Sequence, residues 1–496
     1  MSERLEDVIK IRKEKLERIK QAGLDPYPSS SSRTHTNSQA LDDFEALTET
    51  PITLVGRIRS WRDMGMIIFA HIEDGTAKIQ VLMKSDDLGE DNFKFALKNL
   101  DLGDFVEVTG KLFKTKTDEK TLLTTSYQLL AKSLLPLPSE HFGIHDEETR
   151  LRKRYLDILS NDDTKQLFIK KARFWNSMRD FLQTRGFLHM DMPILESTTG
   201  GAEARPFITH HNALDRDFYL RISLELPLKK MLVAGYEKIF EIGRIFRNEG
   251  ISTEHLQDYT QMEFYWAYAS FEDLMKFVQE MYQKIITDTF GSLSITARGQ
   301  TVDWSGEWKK ISYIELFKKH TGIDLLKTTD DELKSHLDKK KVKYEPYAGR
   351  GRLIDFIFKE VRDKIPNDKP VFLIDQPVEL EPLAKRDPKN PKLVQRLQII
   401  AYGTELGKGF GELNDPIDQR MRFEEQVKLR QAGDEEAQML DESYVEAMEY
   451  GMPPAAGFGL SERLFAILAD KSIRETVVFP LMKENTSNLR KERINE

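Results

Sequence analysis

The sequence predicts an α+β protein: a small closed β-barrel near the N-terminus, then a larger domain with an antiparallel sheet flanked by helices. Three observations carry this. Residues 51–135 hold short strand-like stretches separated by turn signals: ITLVGRIRSWRD, MIIFAHIED, AKIQVLMK, DFVEVTGKLFKT and KTLLTTSYQLLAKS. Several short strands in so little chain suggest a barrel. Pro136 and Pro138 mark a boundary, and residues 150–496 mix helical and strand periods without an internal repeat. Hairpin-like strands with helices around them indicate α+β.

The elements follow in order. Residues 3–22 place Leu5, Val8, Ile9, Leu16 and Ile19 at near-helical spacing among Lys, Arg and Glu, an amphipathic and partly basic helix. It packs on its neighbour or touches nucleic acid; spacing leaves both open. Gly23 and Pro26 end it, and SSSSRTHTNSQ reads as a flexible linker. In the barrel, Asp74-Gly75 and Gly110 supply turns. A sheet carrying Phe69, His71 and Gln80 has the chemistry to stack on and read unpaired bases, although Phe69 also suits the barrel core. Farther on, residues 164–185 form a strong helix pattern. Strands follow near 206–212, 217–223, 238–247, 260–268 and 396–406, with helices at 271–289 and 461–470. The expected domains are 1–50 (helix and linker), 51–138 (barrel) and 139–496.

Composition excludes some classes. The chain has 496 residues and no cysteine, so disulfides and thiolate metal sites are out. Its N-terminus is charged throughout and no window approaches a membrane span, which predicts a soluble cytoplasmic protein. The formal net charge of −8 does not advertise a nucleic-acid binder, but local basic patches decide phosphate contacts.

Three constellations hold the chemistry. In EKIFEIGRIFRNE, a loop and YTQMEFYWAY, strand alternation pairs Arg247 with Glu249 on one face and Glu263 with Tyr265 on another. An arginine among apolar residues needs an anionic partner, either a ligand phosphate or carboxylate or an internal glutamate. In ELGKGFGELNDP, Glu405 and Glu412 flank a glycine-rich strand on which paired carboxylates suit magnesium. No Gly-Lys-Ser/Thr closes a phosphate loop. Seven residues separate the two acids, so a bulge must reorient one if both serve one site. In PPAAGFGLSERLFAIL, a glycine-rich turn leads into a helix with Arg463 in its first turn. The adjacent His210 and His211 point to opposite faces of a strand and do not chelate.

In this order the constellations resemble the three motifs of class II aminoacyl-tRNA synthetases. The 164–185 helix and GFLHMDMPIL with Pro193 resemble motif 1, the dimer interface of that class. FRNE at 246–249 with His255 and Tyr259 resembles motif 2, and GFGLSER resembles motif 3. HFGIH at 141–145 is only superficially similar to a signature of the other synthetase class, whose Lys-rich partner motif is missing. Within class II the closest match is the lysine–tRNA ligases, through GLDPYP, TGGAEARPFITHHNAL, FRNEGIST, MEFYWAYA, ELNDPIDQRMRFEEQ and EYGMPP. The resemblance implies an OB-fold anticodon-binding barrel, a homodimer, ATP and Mg²⁺, and L-lysine and tRNA(Lys) as substrates. It places Arg247 between the ATP α-phosphate and the lysine carboxylate, Glu249 on the adenosine, Tyr259 against adenine, and His255 and Arg463 on the terminal phosphates. Gly201 and Glu225 would hold the α-amino end. Glu263, Tyr265, Phe410 and Glu412 would line the side-chain pocket, with Tyr265 and Glu412 on the ε-ammonium. Metal falls to Glu405, with Glu412 as a second candidate, and Phe69 and Gln80 match anticodon-reading positions.

The chain departs from that pattern at several positions. Gln398 stands where the family usually has a second metal-binding glutamate, Lys408 replaces an asparagine beside the lysine pocket, and Glu254 replaces an arginine near the phosphates. Glu462 precedes Arg463 in place of aspartate, in a motif one residue short. The alternatives are an aspartate or asparagine synthetase (Glu412 and Glu263 argue against aspartate), a paralogue that lysylates a protein, and a non-catalytic RNA-binding protein.

Overall fold

The computed structural model describes residues 3–138, 144–250 and 255–483. Glu254 and most of HFGIH lie outside the described residues. The chain divides into two compact units, 1–144 and 145–496.

In the first unit, helix α1 (Glu3–Gln21) buries Leu16 and Ile19. Its basic face is partly engaged within the unit: Arg12 donates to the carbonyls of Ser133, Leu135 and Leu102, and Lys15 meets Asp101 at 2.7 Å. Strands β1 (Ile52–Asp63), β2 (Ile67–Glu73), β3 (Lys78–Lys84), β4 (Phe105–Lys114) and β5 (Lys120–Ala131) close into a barrel in the order β1-β2-β3-β5-β4. Ile68, Ala70 and Ile72 of β2 point inward with Leu54, Val81, Val108 and Leu122, as a period of two requires.

Two local expectations are corrected. Residues 34–42 are not a free linker. The Thr34 N–H bonds the Thr53 carbonyl, and Asn37–Asp42 forms a short helix, α2, with a Thr36/Gln39 capping box. The buried Asn37 amide donates to the carbonyls of Ile72 and Ala77. These bonds tie a polar run to the barrel. Gly110 is not a turn; it sits inside β4 at an irregularity, where the Leu123 carbonyl approaches too closely for a side chain. A further helix, α3 (Glu90–Asn99), follows β3 and packs Phe93 and Ala96 onto the barrel core.

The second unit is built on an eight-stranded sheet with the order β9-β10-β11-β12-β13-β8-β7-β6, beside smaller two- and three-stranded sheets. These strands are β6 (Leu188–His189), β7 (Lys238–Phe246), β8 (Asp258–Ala267), β9 (Lys309–Ser312), β10 (Val371–Ile374), β11 (Arg396–Ala401), β12 (Thr404–Gly411) and β13 (Ala455–Ser461). The pairs are antiparallel except β6/β7 and β9/β10. Helices α4 (Asp162–Thr184) and α6 (Phe271–Phe290) share one large core with Met262, Phe264, Phe458 and Leu460 of the sheet. Between them in sequence lies α5 (Glu225–Val233).

The expected strand 396–406 is a hairpin: Tyr402 and Gly403 turn the chain with φ of 52° and 68°, separating β11 from β12. The glycine-rich stretch before Arg463 is likewise a central strand, β13, and only then α7 (Arg463–Leu468). Glycines there suit close packing between strands. No described helix is long and apolar enough to cross a membrane.

Candidate active site

The cavity is a consequence of strand alternation across β12, β13 and β8. In β8, Met262 and Phe264 enter the core, so Gln261, Glu263 and Tyr265 face the cavity. In β13, Phe458 and Leu460 enter the core, and Gly457, Gly459 and Ser461 face the cavity. The register sets Lys408–Gly459–Glu263 in one row and Phe410–Gly457–Tyr265 in the next. A glycine between two large side chains leaves a trough. A Cβ on Gly457 would overlap Glu412 Oε1 and the Tyr265 ring.

The bulge required by the spacing of Glu405 and Glu412 is present. Ile399 pairs with Gly407 and Ile400 with Glu405, leaving Leu406 as the extra residue of β12. Both acids then line the cavity, as one site demands. Gly201, at φ +82°, closes another wall; a Cβ there would sit 2.8 Å from the Glu225 Cβ.

At the inner end, Glu412 is fully buried. Its Oε2 meets the Lys229 ammonium, while Oε1 has no hydrogen-bond partner. Glu225 and Lys229 lie one turn apart on α5, hence on one face, with Glu225 Oε1 2.5 Å from Lys229 Nζ. That ammonium stands 5.0 Å from the Phe410 ring centre and 5.7 Å from that of Tyr265. Burial works against its charge, but Glu225 and Glu412 more than offset this and hold it protonated. Burial also raises both acids, Glu225 to about 7 and Glu412 well above the carboxylate range, against the opposing pull of Lys229.

Glu263 is a holder. Its Oε1 accepts from Ser223 Oγ at 2.8 Å and from the Leu224 N–H, and its Oε2 accepts from the Tyr265 hydroxyl at 2.7 Å. With its proton committed, the Tyr265 oxygen is left as an acceptor for a cation in the trough.

Arg247 lies just beyond β7. Its backbone N–H donates to the Gln257 carbonyl at 2.8 Å, and its guanidinium reaches the Ile222 carbonyl and stands 5.8 Å from the Tyr259 ring centre. Tyr259, Glu405 and Arg463 share the cavity with it. Glu249 and His255 are described but are not among the cavity's lining residues. Gln398 donates its amide to Glu405 and accepts from Gln376 at 3.4 Å. Glu462 is buried and meets Lys171 of α4 at 2.9 Å, a structural pairing that holds the motif 3 turn against α4.

Residues 146–483 match the family described as tRNA synthetases class II (D, K and N), and residues 52–137 match the OB-fold nucleic acid binding domain. The chain is 43% identical to the lysine–tRNA ligase of Carboxydothermus hydrogenoformans, over 97% of this chain and 98% of that protein. It is 42% identical to that of Pelotomaculum thermopropionicum, over 97% and 96%, and 39% identical to that of Bacillus subtilis, over 97% and 98%. The chain belongs to the class II lysine–tRNA ligase family.

Two features of this family member escaped the sequence reading. Lys229 is one of two lysines on helix α5, and nothing in the sequence signals that it lies behind Phe410. Glu381, which pairs with Lys408 at 3.1 Å, comes from a connection distant in sequence. Lys408 therefore does not pair with Glu412; that place belongs to Lys229.

In the barrel, Phe69 and His71 stand on the outer face, half-buried, between inward-pointing Ile68, Ala70 and Ile72. This removes Phe69 from the core. His71 is directly opposite Gln80, whose Oε1 accepts from Thr121 Oγ1 at 2.7 Å. His71 itself meets Ser60 at 2.7 Å and Glu119 at 3.0 Å.

Proposed function

We propose that the protein activates L-lysine with ATP and transfers it to the 3′ end of tRNA(Lys). The observation that carries this reading is Glu412: a buried carboxylate at the closed end of a trough, with one oxygen unpartnered, flanked by the Phe410 ring and the Tyr265 oxygen. A flexible four-carbon stem ending in an ammonium needs an apolar sleeve and a terminal acceptor. Glu225 and Gly201 border the end where the α-amino group would sit. Arg247 would bridge the substrate carboxylate and the ATP α-phosphate, with Tyr259 against adenine, Glu249 on the adenosine side, and His255 and Arg463 toward the terminal phosphates.

The lysine carboxylate oxygen attacks the α-phosphorus, and the bond to the leaving pyrophosphate breaks. A ribose hydroxyl of the tRNA terminal adenosine then attacks the adenylate carbonyl carbon, and AMP leaves. Neither step needs an enzymic nucleophile. The protein positions the reactants and neutralises developing phosphate charge through Arg247 and Arg463.

The donor set fits magnesium held by one carboxylate, that of Glu405, with nucleotide phosphate oxygens completing the shell, a common arrangement for this ion. Magnesium would supply further neutralisation of phosphate charge. Gln398 is neutral and already turns its amide to Glu405, and no group of three or more metal-ligating side chains occurs among the described residues. Glu412, engaged by an ammonium, is better suited to the lysine side chain than to metal. Amino-acid-dependent ATP–pyrophosphate exchange, run with all twenty amino acids, tests the reading. Lysine should be the preferred substrate, and exchange driven by another amino acid but not by lysine would overturn it.

The outer face of the barrel carries the anticodon reading, with Phe69 stacking on a base and Gln80 beside it. Stacking contributes roughly 1–3 kcal/mol per base, so Phe69→Ala should lower tRNA charging by about one to two orders of magnitude and leave lysine-dependent exchange intact. Equal loss in both assays would return Phe69 to a structural role. A homodimer is supported by apolar side chains left exposed on and beside the motif 1 strands, including Leu188, Ile194, Leu195 and Ile208. Sedimentation at micromolar concentration should show a dimer; only monomer would count against it.

A further inference from the structure

Lys408 projects from β12 into the trough that the proposed function assigns to a substrate with two ammonium groups. An unpaired cation there would compete with that substrate for the same carboxylates. Its Nζ instead lies 3.1 Å from Glu381 Oε2, and the Arg396 Nε lies 3.5 Å from the same oxygen. Glu381 is buried, directly after a short 3-10 turn (Val378–Leu380), and Arg396 NH1 donates to the Leu380 carbonyl at 3.1 Å. The turn and the arginine hold Glu381 in place from outside the trough.

The pair is charged on both sides. Burial pushes the Glu381 carboxyl up, but Lys408 and Arg396 more than offset it and leave it below the usual range. Burial and Arg396 push Lys408 down, and Glu381, with smaller contributions from other acids, more than restores it. The fields of Glu225 and Glu405 also reach Lys408. Those two acids are the ones assigned above to the α-amino group and to magnesium. Released from Glu381, the flexible Lys408 stem would turn toward Glu225, whose field on it is the larger of the two.

We propose that Glu381 is a positioning residue for amino-acid selection: by pairing with Lys408 it neutralises that ammonium and holds it off the trough, so that no protein cation besides Lys229 competes with the substrate at Glu225. This rests on the lysine-activating reading. Glu381 touches neither substrate nor nucleotide in the scheme and acts only through Lys408.

The two are distinguishable in one set of exchange measurements on the full chain. Glu381→Gln should raise the lysine KM by about tenfold to a hundredfold, the range of coupling between contacting charged residues, with the ATP KM within about threefold of its starting value. The same Glu381→Gln change made in a Lys408→Asn background should move the lysine KM by less than about threefold. A merely structural Glu381 behaves differently: losing it would leave Arg396 without its carboxylate whether or not Lys408 is present, so Lys408→Asn would not rescue. A KM rise that persists in the double variant, no KM rise in the single variant, or an equal effect on ATP overturns the proposal. Absence of lysine-dependent exchange in the unsubstituted protein overturns the lysine-activating reading and this inference with it.

Discussion

Glu412→Gln is expected to lower lysine-dependent pyrophosphate exchange by about two to four orders of magnitude, almost all of it as a rise in the lysine KM. Removing one charge of a buried pair costs about 3–5 kcal/mol, because the partner is left uncompensated. In this trough the uncompensated partner is the substrate ε-ammonium, which would otherwise meet the free Oε1 of Glu412. The amide of glutamine keeps the volume and one acceptor but loses the charge. A competing assignment, metal binding shared with Glu405, predicts a different pattern: ATP KM and magnesium dependence would move first. Glu412 also holds Lys229, so the measurement needs a melting curve alongside. A variant that unfolds at the assay temperature would lose kcat for every substrate, whereas loss of selection leaves kcat at saturating lysine near its starting value. A rise in ATP KM equal to that for lysine would remove Glu412 from the side-chain pocket.

Much of this site was legible because its residues sit on regular strands. Glu263 and Tyr265, or Phe410 and Glu412, are two apart, so alternation places each pair on one face whatever the surroundings. The seven-residue gap between Glu405 and Glu412 went further, since it required a bulge that the register at Leu406 supplies. What alternation could not provide was the partner from another element. Whether Lys408 reaches Glu412 depends on where α5 presents Lys229 and where the segment after Leu380 presents Glu381, and neither is encoded within β12. The same limit explains the linker: SSSSRTHTNSQ is polar enough to stay solvated, yet Asn37 finds two carbonyls of the barrel to which it can donate. Turn residues misled in the other direction. Gly110 and the glycines of β13 signal turns by composition but serve inter-strand packing, whereas Tyr402 and Gly403, which do turn the chain, lie inside what reads as one strand.

Lys229→Met is expected to destabilise the catalytic unit in a pH-dependent way, and the sign distinguishes charge from packing. Methionine fills nearly the same space, so a packing defect would cost the same at every pH. The charge argument predicts otherwise. Lys229 is the ammonium that both Glu225 and Glu412 touch. Even with it present, burial holds Glu225 at about 7 and Glu412 well above the carboxylate range, against an ordinary value of 4.5. Without it both carboxyls move up further. An acid raised in the folded state contributes stability that is complete below its unfolded pKa and is lost as pH rises through the folded pKa. The variant should therefore stand close to the unsubstituted protein near pH 5, where both acids carry protons in the folded chain. By pH 8 it should fall behind by about 1–2 kcal/mol, because Glu225 ionises above about 7 only while Lys229 is present and each pH unit beyond that point is worth about 1.4 kcal/mol per acid. Thermal or urea unfolding of the full chain at the two pH values reads this as a widening gap. A gap that stays constant with pH, or narrows as pH rises, would show that Lys229 is held there for its shape and that the two glutamates do not depend on its charge.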